Sequence, residues 1–162
     1  RLEAANRPVE TFDESLVQLV EDMFETAWAA PGLGLAAPQI GVNLRLAVVD
    51  LSVGKDPDQR MVLVNPELVR REGTASLEEG CLSFPGLFTT IERPRLARVR
   101  AQDPTGKWGE VTGEGLLAQA LCHELDHLDS ILLVHHLRGL KRRMFLRRVD
   151  KMRSLGVWPA TT

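Results

Sequence analysis

An α+β fold is the architecture this sequence predicts, and three observations carry it. A helical pattern fills residues 13–29, strand-like segments cluster in the middle of the chain, and helical spacing returns from Gly115 onward. Strands gathered between helices, rather than alternating with them one by one, point away from βαβ units. No repeat, low-complexity tract or linker divides the chain. One domain spanning 1–162 is therefore expected, long enough for a real core.

In "DESLVQLVEDMFETAWA" (13–29), Leu16, Leu19, Val20, Met23, Phe24 and Ala27 recur at spacings of three and four, the stripe of an amphipathic helix. Asp13 is a suitable N-cap, and Pro31 with Gly32 ends the helix. "GLGLAAPQIG" (32–41) reads as a loop, punctuated by Gly32, Gly34, Pro38 and Gly41. "LRLAVVDLS" and "RMVLVNPEL" read as strands separated by the turn-like "VGKDPDQ". "RREGTASLEEGCLSFPG" is expected to be irregular. "RLARVRAQDPTGKWGEVTG" reads as two strands around the turn "DPTGK". Helical spacing then runs from Gly115 to about Asp129, and a last helix from about Gly139 to Leu155.

The composition, 44% hydrophobic and 26% charged, is ordinary for a globular protein. A net charge of -2 gives the whole molecule no attraction for DNA or a membrane surface. No apolar run approaches the roughly 18 residues of a spanning helix, and the polar opening "RLEAANRPVE" has no signal-peptide character. Two cysteines, Cys81 and Cys122, do not make a disulfide framework. A reducing, cytoplasmic setting is the simpler expectation, in which a cysteine is a ligand or a buried residue.

Function concentrates in "LCHELDH" (121–127). His123 and His127 lie four apart and share a helix face, with Cβ atoms about 6 Å apart or less. With Glu124 they make H-E-x-x-H, in which two imidazoles hold a metal and the glutamate handles protons. A catalytic site of this kind takes three protein ligands and leaves a position for water, whose pKa the ion lowers from ~15.7 toward ~7. The usual downstream third ligands are missing. A histidine route needs glycine at 130 and histidine at 133, where the chain has Ser130 and Leu133, and no glutamate follows His127. His135 and His136 read as surface residues beyond the helix end and stay open as donors. Cys81, in "EEGCLSFPG", taken alone reads as a small buried residue. Beside an H-E-x-x-H lacking its third ligand, it becomes the stronger candidate. Cys122 points about 100° around the helix from His123 and reads as core. Antiparallel strands would thus pack around a central metal-binding helix, with helices at both ends.

Three motifs now stand in order: "GLGLAAPQ" (32–39), "EGCLS" (79–83) and "HELDH" (123–127). Together they resemble the motifs of the peptide deformylases. The likeness extends from about residue 8 to the last helix, through "VLVNPEL" and "GLLAQALCHELDHL". It implies a metal-dependent hydrolase that removes the formyl group from N-formylmethionyl peptides as they leave the ribosome. It also implies one divalent ion, natively Fe(II), with Zn, Ni or Co able to replace it. A thiolate-bound iron would be sensitive to oxidation.

The resemblance further implies roles for individual residues. Glu124 would move protons, and the Gln39 amide and the Leu82 N–H would donate to the oxyanion. The methionine pocket would be walled by Leu33 and Leu77, opposite Leu116 and Ala120 on the His123/His127 face of the helix. Gly34, Ala36 and Ala37 would let the main chain pair with a bound peptide as an added strand, although tight packing also demands small residues. Glu79 and Arg93 would form a buried pair, with a solvated Arg93 as the alternative. Asp126 reads equally as an orienting carboxylate or a solvated charge. The chain departs from the family pattern at Cys122, where glutamine is usual, at Ser130, where glycine is common, and at Phe88, near where some members place a basic residue. A zincin-like metallopeptidase and a non-catalytic descendant that binds metal or formyl peptide are the rival readings.

The last helical segment carries Lys141, Arg142, Arg143, Arg147, Arg148, Lys151 and Arg153, seven of the chain's 20 Lys and Arg residues, against Asp150 alone. A solvated helix face explains such a run. Docking on ribosomal RNA is the sharper expectation, because phosphate contacts need only a few exposed cations.

Overall fold

Among the described residues the strands pair antiparallel throughout, with one isolated parallel bridge between Arg7 and Leu44. The computed structural model describes residues 6–81, 84–131 and 133–155, with the side chains of 81, 84–87, 133, 134 and 153 outside the description. The elements run α1 (Glu14–Ala29), β1 (Gly34–Ala36), β2 (Leu46–Val49), β3 (Met61–Glu72), β4 (Ala75–Cys81), β5 (Phe84–Arg93), β6 (Leu96–Gln102), β7 (Trp108–Glu114), α2 (Leu116–Leu128) and α3 (Gly139–Ser154). Five strands form one sheet in the order β1-β2-β3-β6-β7, and β4 pairs with β5 as a separate ribbon. The α+β class expected from the segment order is what the chain adopts.

The helix α1 starts where the sequence places it. Asp13 caps it, accepting from the Ser15 and Leu16 N–H groups at 3.1 and 3.2 Å. Leu16, Val20, Met23, Phe24 and Ala27 are buried on the predicted stripe. Each large one contributes about 1.5–3 kcal/mol by leaving water.

Strand β2 reads "LAVV" and is buried along its whole length. Successive side chains of a strand point to opposite faces. Leu46 and Val48 accordingly join Met23 and Phe24 in one core, while Ala47 and Val49 join Leu121, Leu125 and Leu128 of α2 in another. The sheet is thus covered on one face by α1 and on the other by α2. Farther along, β6 is one-sided, with Ala97, Val99 and Ala101 buried between the more exposed Arg98 and Arg100. That alternation is why this region is legible as strand.

Two segments differ from the expectation. The stretch 32–41 is not all loop. It holds the short strand β1 and a 3-10 turn at Ala37–Ile40, because Ala36 and Ala37 are small enough to be completely buried against the cores. The described residues of the stretch 70–86 are not irregular, since they close β3 and supply β4 and the start of β5, whose charged residues find partners only in three dimensions.

Helix α2 begins after Gly115, whose φ of 57° suits glycine better than any other residue. It lies between the five-stranded sheet and the ribbon. Its last carbonyl-bearing turn is capped from outside, with Leu128 O accepting from Asn6 Nδ2 at 2.9 Å and Arg45 Nη1 at 3.1 Å. Helix α3 packs on β5, burying Phe145 and Val149. Lys141 Nζ donates to Thr90 O across that contact. Among the described residues no helix is long and apolar enough to cross a membrane.

Candidate metal centre

The 3.6-residue period of α2 puts His123 and His127 on one face, and the fold turns that face toward the ribbon. The two rings meet edge to face with centroids 4.8 Å apart. Their Nε2 atoms lie 3.2 Å from each other. Glu124 sits beside them, 4% exposed, and the donor atoms of His123, Glu124 and His127 all lie within 4.8 Å of one another.

Glu79 of β4 settles the state of His123. Its Oε1 lies 2.5 Å from His123 Nδ1. The same oxygen accepts from Arg93 Nη2 at 2.6 Å, and Oε2 accepts from Arg93 Nε at 2.8 Å. Burial alone would push the Glu79 carboxyl up, but the hydrogen bonds from Arg93 and His123 outweigh it and hold it at about 2. A carboxylate so fixed can only accept. His123 therefore carries its proton on Nδ1 and presents the Nε2 lone pair to His127.

That arrangement fits a divalent ion. The two Nε2 atoms stand at hydrogen-bond distance, and the same separation suits two nitrogens that share one ion. Ligands at 2.0–2.1 Å in a tetrahedron would stand about 3.3–3.4 Å apart, close to the separation found.

Arg93 is itself anchored twice. Burial disfavours its charge, but its bonds to Glu79 and Asp126 more than compensate and raise its pKa. Nη1 meets Asp126 Oδ2 at 2.5 Å, and His136 Nε2 meets the same oxygen at 2.6 Å. Burial raises Asp126, yet His136 and Arg93 together leave it below its ordinary value. Glu79 and Arg93 are thus the buried pair anticipated from the resemblance, at 5% and 4% exposure. Asp126 orients Arg93 and is not a solvated charge. His136 pairs with Asp126.

Gln39 is buried at 4% exposure, and its Oε1 accepts from Ala36 N–H at 2.8 Å. The acceptor end of the amide is thereby turned to the main chain, so the end that donates is its NH2. Gly34 runs against Glu124, where an added Cβ would lie 2.7 Å from Oε2. Ala120, in α2, is buried in the core that also holds Leu63 and Val99. Leu116, at the first turn of α2, is 50% exposed, and Leu33 is half-buried. Cys122 is buried with Ala97 and Ala118, and burial pushes its thiol up to about 11. The main chain of Cys81 ends β4, opposite Phe84, two residues beyond Glu79. The Cys81 side chain and Leu82 lie outside the described residues.

One contributor was missed by sequence reasoning. Gln119, one helical turn before His123, donates from Nε2 to Glu78 O at 2.9 Å and ties α2 to β4. Its i−4 spacing from His123 was the available signal.

Comparison with known proteins points one way. A sequence profile described as polypeptide deformylase matches residues 1–143. A peptide deformylase of Acidobacterium capsulatum is 48% identical over 157 residues, covering 97% of this chain and 92% of its own. One from Cellvibrio japonicus is 44% identical, with 97% and 92% covered. The crystal structure of a peptide deformylase from Legionella pneumophila superposes with a TM-score of 0.89 at 49% identity, covering 98% of this chain and 93% of that one. A peptide deformylase from Synechococcus elongatus in complex with actinonin gives 0.87 at 35% identity, covering 92% and 82%. With the whole catalytic region matched in sequence and in fold, the chain belongs to the polypeptide deformylase family.

Proposed function

We propose that Cys81, His123 and His127 hold the divalent ion with which this chain hydrolyses the formyl amide of N-formylmethionyl peptides to formate and a free amine. The observation that carries this is the imidazole pair at 3.2 Å, one ring locked by Glu79, beside a buried Glu124 carboxylate. A bound divalent ion would supply Lewis acidity, lowering the pKa of a water molecule and polarising the formyl oxygen.

The chain's own groups do the rest. Glu124 takes the proton of the attacking water and returns it to the leaving amine. The NH2 of Gln39 and the N–H of Leu82 donate to the formyl oxygen as it becomes an oxyanion, each donor being worth about 2.7–4 kcal/mol in the transition state. The substrate main chain adds to β1, which is an edge of the five-stranded sheet. Leu33, Gly34, Leu116 and Ala120 border the methionine side chain.

Thiolate and imidazole donors suit Fe(II), Zn, Ni and Co, and Fe(II) is the native ion in this reading. The enzyme works as one domain, 1–162, in the cytoplasm. The cations of α3 dock it on the ribosome, where formylated chains emerge. Anaerobically purified protein, assayed for metal and for formate release from a formyl-Met peptide, tests the reading. Bound metal without formate would overturn it.

A further inference from the structure

The buried pair behind His123 does not stop at Arg93. Five side chains form one unbroken line: His136, Asp126, Arg93, Glu79, His123. Donors and acceptors alternate along it. Arginine only donates and carboxylates only accept, so each end must be a ring N–H. The joints are shared atoms. Asp126 Oδ2 takes both His136 Nε2 and Arg93 Nη1, and Glu79 Oε1 takes both Arg93 Nη2 and His123 Nδ1. Moving one member therefore moves the next. His136 lies in the 3-10 turn Leu133–His136, held down by the adjoining Leu137, which is 1% exposed. His136 itself reaches solvent at the rim of a cavity of about 380 Å³ that Arg93 and Asp126 also line.

We infer that His136 is a positioning residue of the metal centre, acting on the orientation of His123 through Asp126, Arg93 and Glu79. The inference rests on the reading of His123 as a ligand. Outer partners of a ligating histidine are worth about 10–100-fold in metal affinity or activity when removed. His136 stands three residues further out, so the lower end of that range applies.

The probe is Co(II), loaded into the purified chain and followed by its visible absorption and by competition with a chelator. His136→Phe keeps the ring volume and removes the donor. It should bind Co(II) about 10-fold more weakly than wild type, with shifted absorption bands, a lower kcat and an unchanged KM for a formyl-Met peptide. His136→Gln, whose amide nitrogen can stand where Nε2 stood, should return to wild-type values. His136→Asn, too short to reach Asp126, replaces the phenylalanine variant if that protein does not fold. A donor-less variant with wild-type Co(II) affinity and spectrum overturns the inference, and so does a folded His136→Gln no better than it. A His123→Ala protein that keeps the wild-type spectrum would instead overturn the ligand reading itself.

Discussion

Gly34 and Glu124 meet so closely that no side chain fits between them: a Cβ at residue 34 would stand 2.7 Å from Glu124 Oε2 and 2.9 Å from Val48 O. The glycine thus sets where the carboxylate can lie. Gly34→Ala should push Glu124 off its position while the neighbouring cores keep the fold. A displacement near 1 Å costs on the order of 100-fold in rate. We expect kcat for formate release to fall about 10–100-fold, with metal content unchanged. An alanine variant within twofold of wild type would show that the carboxylate tolerates the crowding.

Glu124→Gln keeps the shape of the side chain and removes its ability to take a proton. General acid–base catalysis is typically worth about 10²–10⁴-fold. The variant should lose that much kcat while binding as much metal per chain as wild type. Loss of metal and activity together would make Glu124 a ligand and not the proton carrier.

Much of this site was readable beforehand, and what was not has a common physical cause. The helix α2, the helix α1 and strand β6 announce themselves through the period of their apolar residues, and β7 through the turn that joins it to β6. The ribbon does not. Glu78, Glu79, Glu92 and Arg93 interrupt its apolar pattern, and the two of them that are buried are stabilised by each other, Asp126 and His123, which are distant in sequence. Local patterning is blind to a charge whose partner is 44 residues away. The same holds for "GLGLAA". Its small residues suggested room for a peptide or tight packing, and the close approach of Gly34 to Glu124 and the burial of both alanines add a packing reason that only the fold displays.

Gln39 offers a separable test, because its two amide ends have different duties. Its carbonyl holds Ala36 N–H at 2.8 Å. Gln39→Ala loses both ends, whereas Gln39→Glu keeps the acceptor and loses the donor. Both should lower kcat by about 10²–10³-fold, the usual cost of one oxyanion donor. The alanine variant should also unfold at lower temperature than the glutamate variant. If Gln39→Glu retains wild-type kcat, the oxyanion role is wrong.

Asp50 gives a pH prediction away from the metal centre. It is 2% exposed and accepts from Ser52 N and Gly54 N at 2.9 Å, Ser52 Oγ at 2.6 Å and Trp28 Nε1 at 2.9 Å. Burial would raise its carboxyl, but these bonds prevail and leave it below the ordinary 3.8. The folded chain thus holds this proton less tightly than the unfolded one. The stabilisation is present in full above 3.8 and fades as pH falls through the lower folded value. Asp50→Ala should cost about 2–4 kcal/mol at neutral pH, since it strands buried donors. The gap to wild type should narrow at pH 3 in urea unfolding of the metal-free proteins. A gap independent of pH would mean the cost is packing alone.

The helix α3 buries Phe145 and Val149 and turns Lys141, Arg142, Arg143, Arg147, Arg148 and Lys151 outward. Lys141 helps anchor the helix through Thr90 O, and stability does not call for five further exposed cations. On a phosphate backbone each neutralised phosphate releases counterions, and affinity falls steeply with salt. Arg143 and Arg147 lie four apart, on one face of the helix. Reversing both to glutamate should abolish co-sedimentation with ribosomes at low salt, while kcat/KM on a free formyl-Met peptide stays within twofold of wild type. Wild-type co-sedimentation should fade between about 50 and 200 mM salt. Co-sedimentation that ignores both salt and the charge reversal would remove α3 from any docking role, and the run of cations would then be a solvated face.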